Sequence, residues 1–390
     1  MGSLGIINLG QILTGDWNRP VAADESIRIE DGRITAIGPL AATRADTCAA
    51  LLDAQGTTAG PGLIDSHAHV VFGDWTPRQN TIGWIESYLH GGITSMMSAS
   101  EVHLPSRPTD RAGVKALALT AQRAFANHRP AGVKVHAGSL ILEPGLQESD
   151  FAELRAEGVW LAKMGFGAFA FNRDAEPLVR AARAAGFVVM SHTGGVSIPG
   201  SSAVTADDLL HLQVDIAGHV NGGTTALPDA QLERLVREAP AHLRFQISQA
   251  GNLRSALRVI ALAREAGRLE HVLLSSDTPT GTGVMPLGVL KTVAEMSSLG
   301  GLSAGQAWAM ATGNNADVLR QNTGRIEVGR EADLVLMDAP SGSAFATASE
   351  AIEHGDLPGI SAVLVDGQLR VTRSRNSPLA TRLARVVRAA

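Results

Sequence analysis

Two textures of apolar and polar positions divide the chain. Up to about residue 60 the apolar positions recur every second residue in short runs. Residues 26–30 alternate in this way and stop at Asp31-Gly32, a two-residue hairpin signal, before a second run over 33–37. Segments 51–53 and 57–59 read as further strands of the same kind. From Pro61 the apolar runs lengthen and are separated by stretches of helical period, which is how repeated βα units read. Eight runs predict strands over 62–69, 92–98, 132–138, 159–165, 187–192, 215–219, 243–248 and 271–277.

Helices fall between them. One is expected over 149–157, stopping at Gly158. A second, over 205–212, opens on the capping box Thr205-x-x-Asp208, and a third, over 303–311, opens on Ser303-x-x-Gln306. After Gly324 the short-strand texture returns at 326–328, 333–337 and 362–365, and Asp366-Gly367 signals another hairpin. A basic helix over 380–388 is expected to close the chain. The fold expected is therefore α/β: a distorted TIM-type (βα)8 barrel over 61–323, with a small β-sandwich built from 1–60 and 324–390. At roughly 150 residues per domain, 390 residues suit one large barrel with an appendage.

Composition narrows the function classes. With 45% hydrophobic and 18% charged residues the chain is globular rather than disordered. Its net charge of −5 comes from interspersed acidic and basic residues, so no basic stripe offers counterion release to a nucleic acid. Cys48 is the only cysteine, which excludes an internal disulfide and a Cys-based zinc site. Residues 1–12 do not read as a signal peptide, and no apolar run reaches eighteen residues. A cytoplasmic protein with no membrane partner is expected. Only four of the 33 basic residues are lysines, namely Lys115, Lys134, Lys163 and Lys291. Arginine stays protonated in proteins, whereas a buried lysine can become a neutral nucleophile.

The chemistry gathers at the C-terminal ends of the predicted strands, where barrels of this type build their sites. The first run ends in Asp65-Ser-His67-Ala-His69, and two histidines two apart on a strand point to one face. Other runs end at His192, His219 and Asp277. A lone histidine on an apolar strand is usually a core residue. Four histidines and an aspartate at the ends of four strands on one rim point instead to a centre of two divalent metal ions, short of one bridging anion. Lys163 in the fourth run is the expected source. An ammonium beside two cations must lose its proton, and the neutral amine can take up CO2 as a bidentate carbamate. Lys134, which faces the same way as His136, is its rival.

Substrate contacts are expected in the loops that follow. Ser197 and Ser201 lie after the fifth run, Asn221 after the sixth and Thr278 after the eighth, with Arg78 after the first as a clamp for a carboxylate. His103 and His136 could bond a substrate carbonyl or simply pack. No phosphate-binding glycine motif is present.

Pro61-Gly-Leu-Ile-Asp-Ser-His-Ala-His69 resembles the opening of the amidohydrolase superfamily, whose members are metal-dependent hydrolases on a (βα)8 barrel. The segments 311–316 and 324–338 are similar to the helix and strand pair with which that superfamily completes its sandwich. Segments 129–136, 197–208 and 280–288 resemble the branch that opens cyclic enamides. The resemblance implies hydrolysis of the lactam 1,4,5,6-tetrahydro-6-oxonicotinate to 2-formylglutarate and ammonia. It also implies zinc with iron or two zincs, one ion on His67, His69 and Asp277 and the other on His192 and His219, with the strand-four residue between them. That branch aligns a glutamate where this chain has Lys163. On this reading Asp277 is also the catalytic proton acceptor, the substrate is a small molecule, and the chain works as a homo-oligomer. Hydantoinase-, dihydroorotase- or adenine-deaminase-like activity on the same ions is the alternative, followed by a non-catalytic scaffold.

Overall fold

The computed structural model describes residues 2–70, 83–100, 102, 106–223, 225–279 and 283–389. All eight predicted barrel strands form, each parallel to its neighbours. In chain order they are Leu63–Ala68, Ile93–Ser98, a third strand split into Lys134–His136 and Leu140–Ile141, then Leu161–Met164, Val188–Ser191, Ile216–Ala217, Arg244–Ser248 and Val272–Ser275. The third strand breaks at Gly138, whose φ is +94°. A Cβ there would lie 2.7 Å from the Ala118 carbonyl oxygen of the covering helix, so glycine lets the strand kink beneath it. Its lower half pairs with strand two and its upper half with strand four.

The ring closes between strands eight and one. The Asp277 N–H donates to the His67 carbonyl over 2.9 Å, and the His69 N–H to the Thr278 carbonyl over 3.0 Å. Closure puts the last strand's catalytic candidate directly against the first strand's histidines. The three predicted helices form as Glu148–Ala156, Ala206–Leu212 and Ala304–Met310, the latter two capped by Thr205 and Ser303 as their boxes require. Among the described residues no helix is long and apolar enough to cross a membrane.

Two sheets make the sandwich. One holds Arg385–Arg388, Ala50–Asp53, Ser3–Ile7, Ser26–Glu30 and Arg33–Gly38, in that order. The other holds Gln368–Val371, Gly359–Val365, Leu334–Asp338, Thr58–Pro61, Gln11–Leu13 and Val21–Ala22. Ile6, Ile12, Ile27, Ile34, Leu334 and Leu364 fill the space between them. Asp31-Gly32 and Asp366-Gly367 turn their hairpins with positive φ at both residues, as that turn demands.

Two expectations for the C-terminal segment fail. The predicted helix over 380–388 is instead an edge strand, Arg385–Arg388, antiparallel to Ala50–Asp53. The β-branched pair Val386-Val387 suits a strand, and an open sheet edge offers hydrogen bonds that an isolated helical turn cannot match. Residues 326–328 form no strand: the Ile326 N–H reaches the Thr14 carbonyl, but the chain turns at once toward Gly329.

Lys134 opens strand three at the barrel floor, where the sandwich abuts. Its ammonium lies 2.7 Å from Glu331, 2.8 Å from Asp333 and 2.7 Å from Asp366. Burial works against its charge, but the surrounding carboxylates outweigh that and raise its pKa. This lysine is a permanent cation locking barrel to sandwich, which removes it as a rival source of the bridging group. Replacing it strands a buried Asp333. Lys134→Met is expected to cost about 3 to 5 kcal/mol of stability, measured by urea denaturation; a loss below about 1 kcal/mol would show that the lock is dispensable.

Candidate active site

Six of the sequence-selected side chains meet at the C-terminal rim: His67 near the end of strand one, His69 just beyond it, Lys163 in strand four, and His192, His219 and Asp277 just past strands five, six and eight. Nε2 of His69 lies 3.0 Å and Nε2 of His67 3.3 Å from the same Asp277 carboxylate oxygen. Ligand atoms of these three all fall within 4.8 Å of one another. Lys163 Nζ is 3.2 Å from His67 Nε2. On the other flank His192 Nδ1 is 3.0 Å from His219 Nε2, and the His219 ring centroid is 5.2 Å from that of His67. Backbone strain marks the same places: His219 has φ +32° and Asp277 φ +57°. Such conformations in non-glycine residues persist where the surroundings enforce them, and they gather at functional sites.

Electrostatics favour neutral imidazoles. Burial, and then the neighbouring His219, push His192 down to about 3. Burial also lowers His219, to about 4, and holds His67 well below the ordinary imidazole range. Burial alone would raise the Asp277 carboxyl, but His67, His69 and His219 outweigh it and hold it well below the usual carboxylate range. Lys163 is fully enclosed, and burial brings its pKa down to about 7 despite the attraction of Asp277. Its amine also contacts the Met190 sulfur at 3.0 Å. The neutral His192 donates its Nε2–H to the Gly195 carbonyl at 2.6 Å, which leaves the Nδ1 lone pair facing His219.

Imidazole nitrogens converging in a buried place around the Asp277 carboxylate, the one carboxylate of the cluster among the described residues, suit divalent cations. His67, His69 and Asp277 have the donor set for one ion. His192 and His219 form a second donor pair, with Lys163 reaching the group from strand four.

The expected substrate contacts fare differently. Asn221 clamps the backbone of Ser248, donating to its carbonyl and accepting from its N–H, each at 2.9 Å. Ser201 Oγ accepts from the N–H groups of Ser197 and Ile198, while Ser197 Oγ donates to the Gly165 carbonyl at 3.1 Å. Those hydroxyls brace their own loop. Thr278 is fully buried, its hydroxyl between Tyr88 and Ser276. His136 lies low in the barrel, edge-on to Trp160, because Ile141, further along the same strand, is what pairs with Lys163. Arg78 and His103 lie outside the described residues.

Three features escaped the sequence reading. Gln246, a single amide within an apolar strand, bonds His67 Nδ1 at 2.6 Å. Tyr88 opens a buried chain through Thr278 and Ser276 to the Asp65 carboxylate, and Asp65 also accepts from the Ser276 N–H at 2.9 Å. Burial pushes the Tyr88 hydroxyl up to about 12, so it remains a donor. Arg107 and Glu143 form a buried ion pair at 2.6 Å on the wall of a cavity of about 500 Å³, shared with Phe166, Ile198 and Pro199. A lone glutamine in an apolar strand was the one available signal for Gln246. The other pairings join residues far apart in sequence.

A profile of the amidohydrolase family matches residues 58–370. An enamidase of Eubacterium barkeri is 46% identical over 383 residues, covering 98% of this chain and 99% of that protein. An imidazolonepropionase of Mycolicibacterium smegmatis is 26% identical over 95% of this chain and 98% of its own length. Among solved structures, an enamidase superposes with a TM-score of 0.94 at 46% identity, covering 99% of this chain and 100% of that one. An atrazine chlorohydrolase of Arthrobacter aurescens reaches 0.63 at 18% identity over 95% and 96%, a likeness of fold alone.

Lys163 carries a pH signature. Between about pH 7 and 10.5 the unfolded chain keeps a proton that the native amine has shed, so burying this lysine costs stability as pH falls through that window. The metal-free Lys163→Met protein should therefore exceed its parent by about 3 to 5 kcal/mol near pH 6, with the gap closing toward pH 10.5. Denaturant melts across that range measure it; a constant gap would mean that the amine is not desolvated.

Proposed function

The chain belongs to the amidohydrolase family, and we propose that it opens a cyclic amide by metal-assisted hydrolysis, as an enamidase acting on 1,4,5,6-tetrahydro-6-oxonicotinate. The observation that carries this reading is the convergence of four imidazoles, Asp277 and Lys163 in one buried cluster, within a chain 46% identical to an enamidase along nearly its whole length. His67, His69 and Asp277 would hold one divalent ion and His192 and His219 the other, zinc with iron or two zincs. When bound, such ions acidify water and polarise a carbonyl.

The chain's own groups supply the proton traffic. Asp277 is ionised and takes a proton from water as its oxygen adds to the lactam carbonyl carbon. The same carboxyl returns that proton to the ring nitrogen as the C–N bond breaks, giving a carboxylate and an enamine. The enamine tautomerises to an imine, a second water adds, and ammonia leaves with the aldehyde formed, which is 2-formylglutarate. Lys163 is part-neutral near pH 7, which lets its amine attack CO2, form a C–N bond and release a proton. The resulting carbamate is an anion that would serve both ions.

Lys163, a buried amine able to take up CO2, also suits a second reading: a hydantoinase- or dihydroorotase-like opening of another cyclic amide. A metal-replete assay against six-membered lactams, hydantoins and dihydroorotate, with and without a ring carboxylate, separates the two. Selective turnover of the oxonicotinate supports the first reading, and hydantoin turnover the second. Arg78 is the proposed carboxylate contact. Replacing it with methionine should raise KM about 10- to 100-fold for the carboxylated lactam alone.

Asp277→Asn should lower kcat at least about 100-fold while His67 and His69 still hold metal; retained turnover would remove Asp277 from the proton-carrying role. Metal reconstitution of the stripped protein should depend on bicarbonate, and full activity under CO2-free conditions would exclude the carbamate.

A further inference from the structure

Gln246 sits within strand seven, Arg244–Ser248, and is fully buried. Its amide is held at both ends. The nitrogen lies 2.8 Å from the Ser66 hydroxyl and 3.3 Å from the Ser66 carbonyl oxygen. The oxygen lies 2.6 Å from His67 Nδ1 and 3.4 Å from the backbone nitrogen of His219. A carbonyl only accepts and a backbone N–H only donates, so these two groups leave the amide a single orientation. Its NH2 faces strand one and its C=O faces His67 and His219. An acceptor at 2.6 Å then requires the proton of His67 on Nδ1. The lone pair is left on Nε2, the atom turned toward Asp277 and Lys163.

We propose that Gln246 is a positioning residue that fixes the tautomer and ring plane of His67, so that Nε2 is presented to a cation before any cation arrives. The proposal rests on reading the rim as a metal site. It also explains why an amide rather than a carboxylate stands here. A glutamate could accept from His67, but its second oxygen would oppose the Ser66 carbonyl, leaving two acceptors in contact without a proton. The same amide touches the His219 backbone, so one side chain from strand seven, which supplies none of the six rim groups, links both halves of the cluster.

The first test reads the tautomer directly. Long-range proton–nitrogen NMR correlations of the metal-free, histidine-labelled full chain, with His67 signals identified by their loss in His67→Gln, should show Nδ1–H. An Nε2–H pattern would overturn the proposal, and this measurement needs no variant of Gln246. The second test is Gln246→Met, titrated with Zn2+ against a chromophoric chelator. Affinity for one ion should fall about 10- to 100-fold, with the fold intact by circular dichroism; unchanged affinity would overturn it. Gln246→Glu should also bind more weakly than the parent, and equal or tighter binding counts against the orientation argument. None of these readouts depends on lactam turnover. An inactive protein with the expected tautomer would therefore fail the enamidase reading and leave this one standing.

Discussion

The seam between the last and first barrel strands is the constraint on which the site depends. Asp277 and His69 are each bonded through their backbone N–H to a carbonyl on the opposite strand. Asp65, buried beneath, accepts from both the N–H and the hydroxyl of Ser276 and from the N–H of His67. A carboxylate buried in this way costs desolvation, and its pKa rises to about 6 even with those donors in place. The expense is tolerable because one side chain sets the height of both strands, and with it the approach of the Asp277 carboxylate to two imidazoles. Tyr88 extends the arrangement by fixing Thr278 from outside the barrel.

Closing the ring creates an imbalance of charge. His67, His192 and His219 are held neutral, Lys163 is near its own midpoint at pH 7, and among the described residues Asp277 is the one carboxylate placed between them. Low-dielectric surroundings penalise protonation of any one of these groups, because its neighbours are also bases but offer little countercharge. What remains is a set of lone pairs that a divalent cation satisfies better than protons do. Lys163 is the exception that makes chemical sense: an amine able to shed its proton is able to acquire a carboxylate.

Hydrogen bonding sorts the remaining polar residues by duty. Asn221, Ser197 and Ser201 spend their side chains on their own loops, which is how segments rich in glycine and small hydroxyls hold one shape beside a reaction centre. Lys134 and His136, alternate residues of one strand, lie at the floor rather than the rim. Spacing along a strand tells which face a residue shares with its neighbour but not how far up the barrel that face begins.

Local order along the chain was enough to specify the strands, the Thr205 and Ser303 helix caps, the Asp-Gly turns and the histidines at strand ends, because each depends on a period or a turn residue read within a few positions. The RVVR tail shows the limit: three or four residues satisfy either period, and the open edge beside Ala50–Asp53 made the choice. The choice between Lys163 and Lys134 belonged to tertiary structure, since each is flanked by apolar residues on a buried strand and the two differ in depth. Gln246 and Tyr88 likewise gained their roles from partners nearly two hundred positions away. Such contacts arise only once the ring has closed, because hydrogen-bond geometry between distant residues is a property of the packed barrel and leaves no period in the sequence.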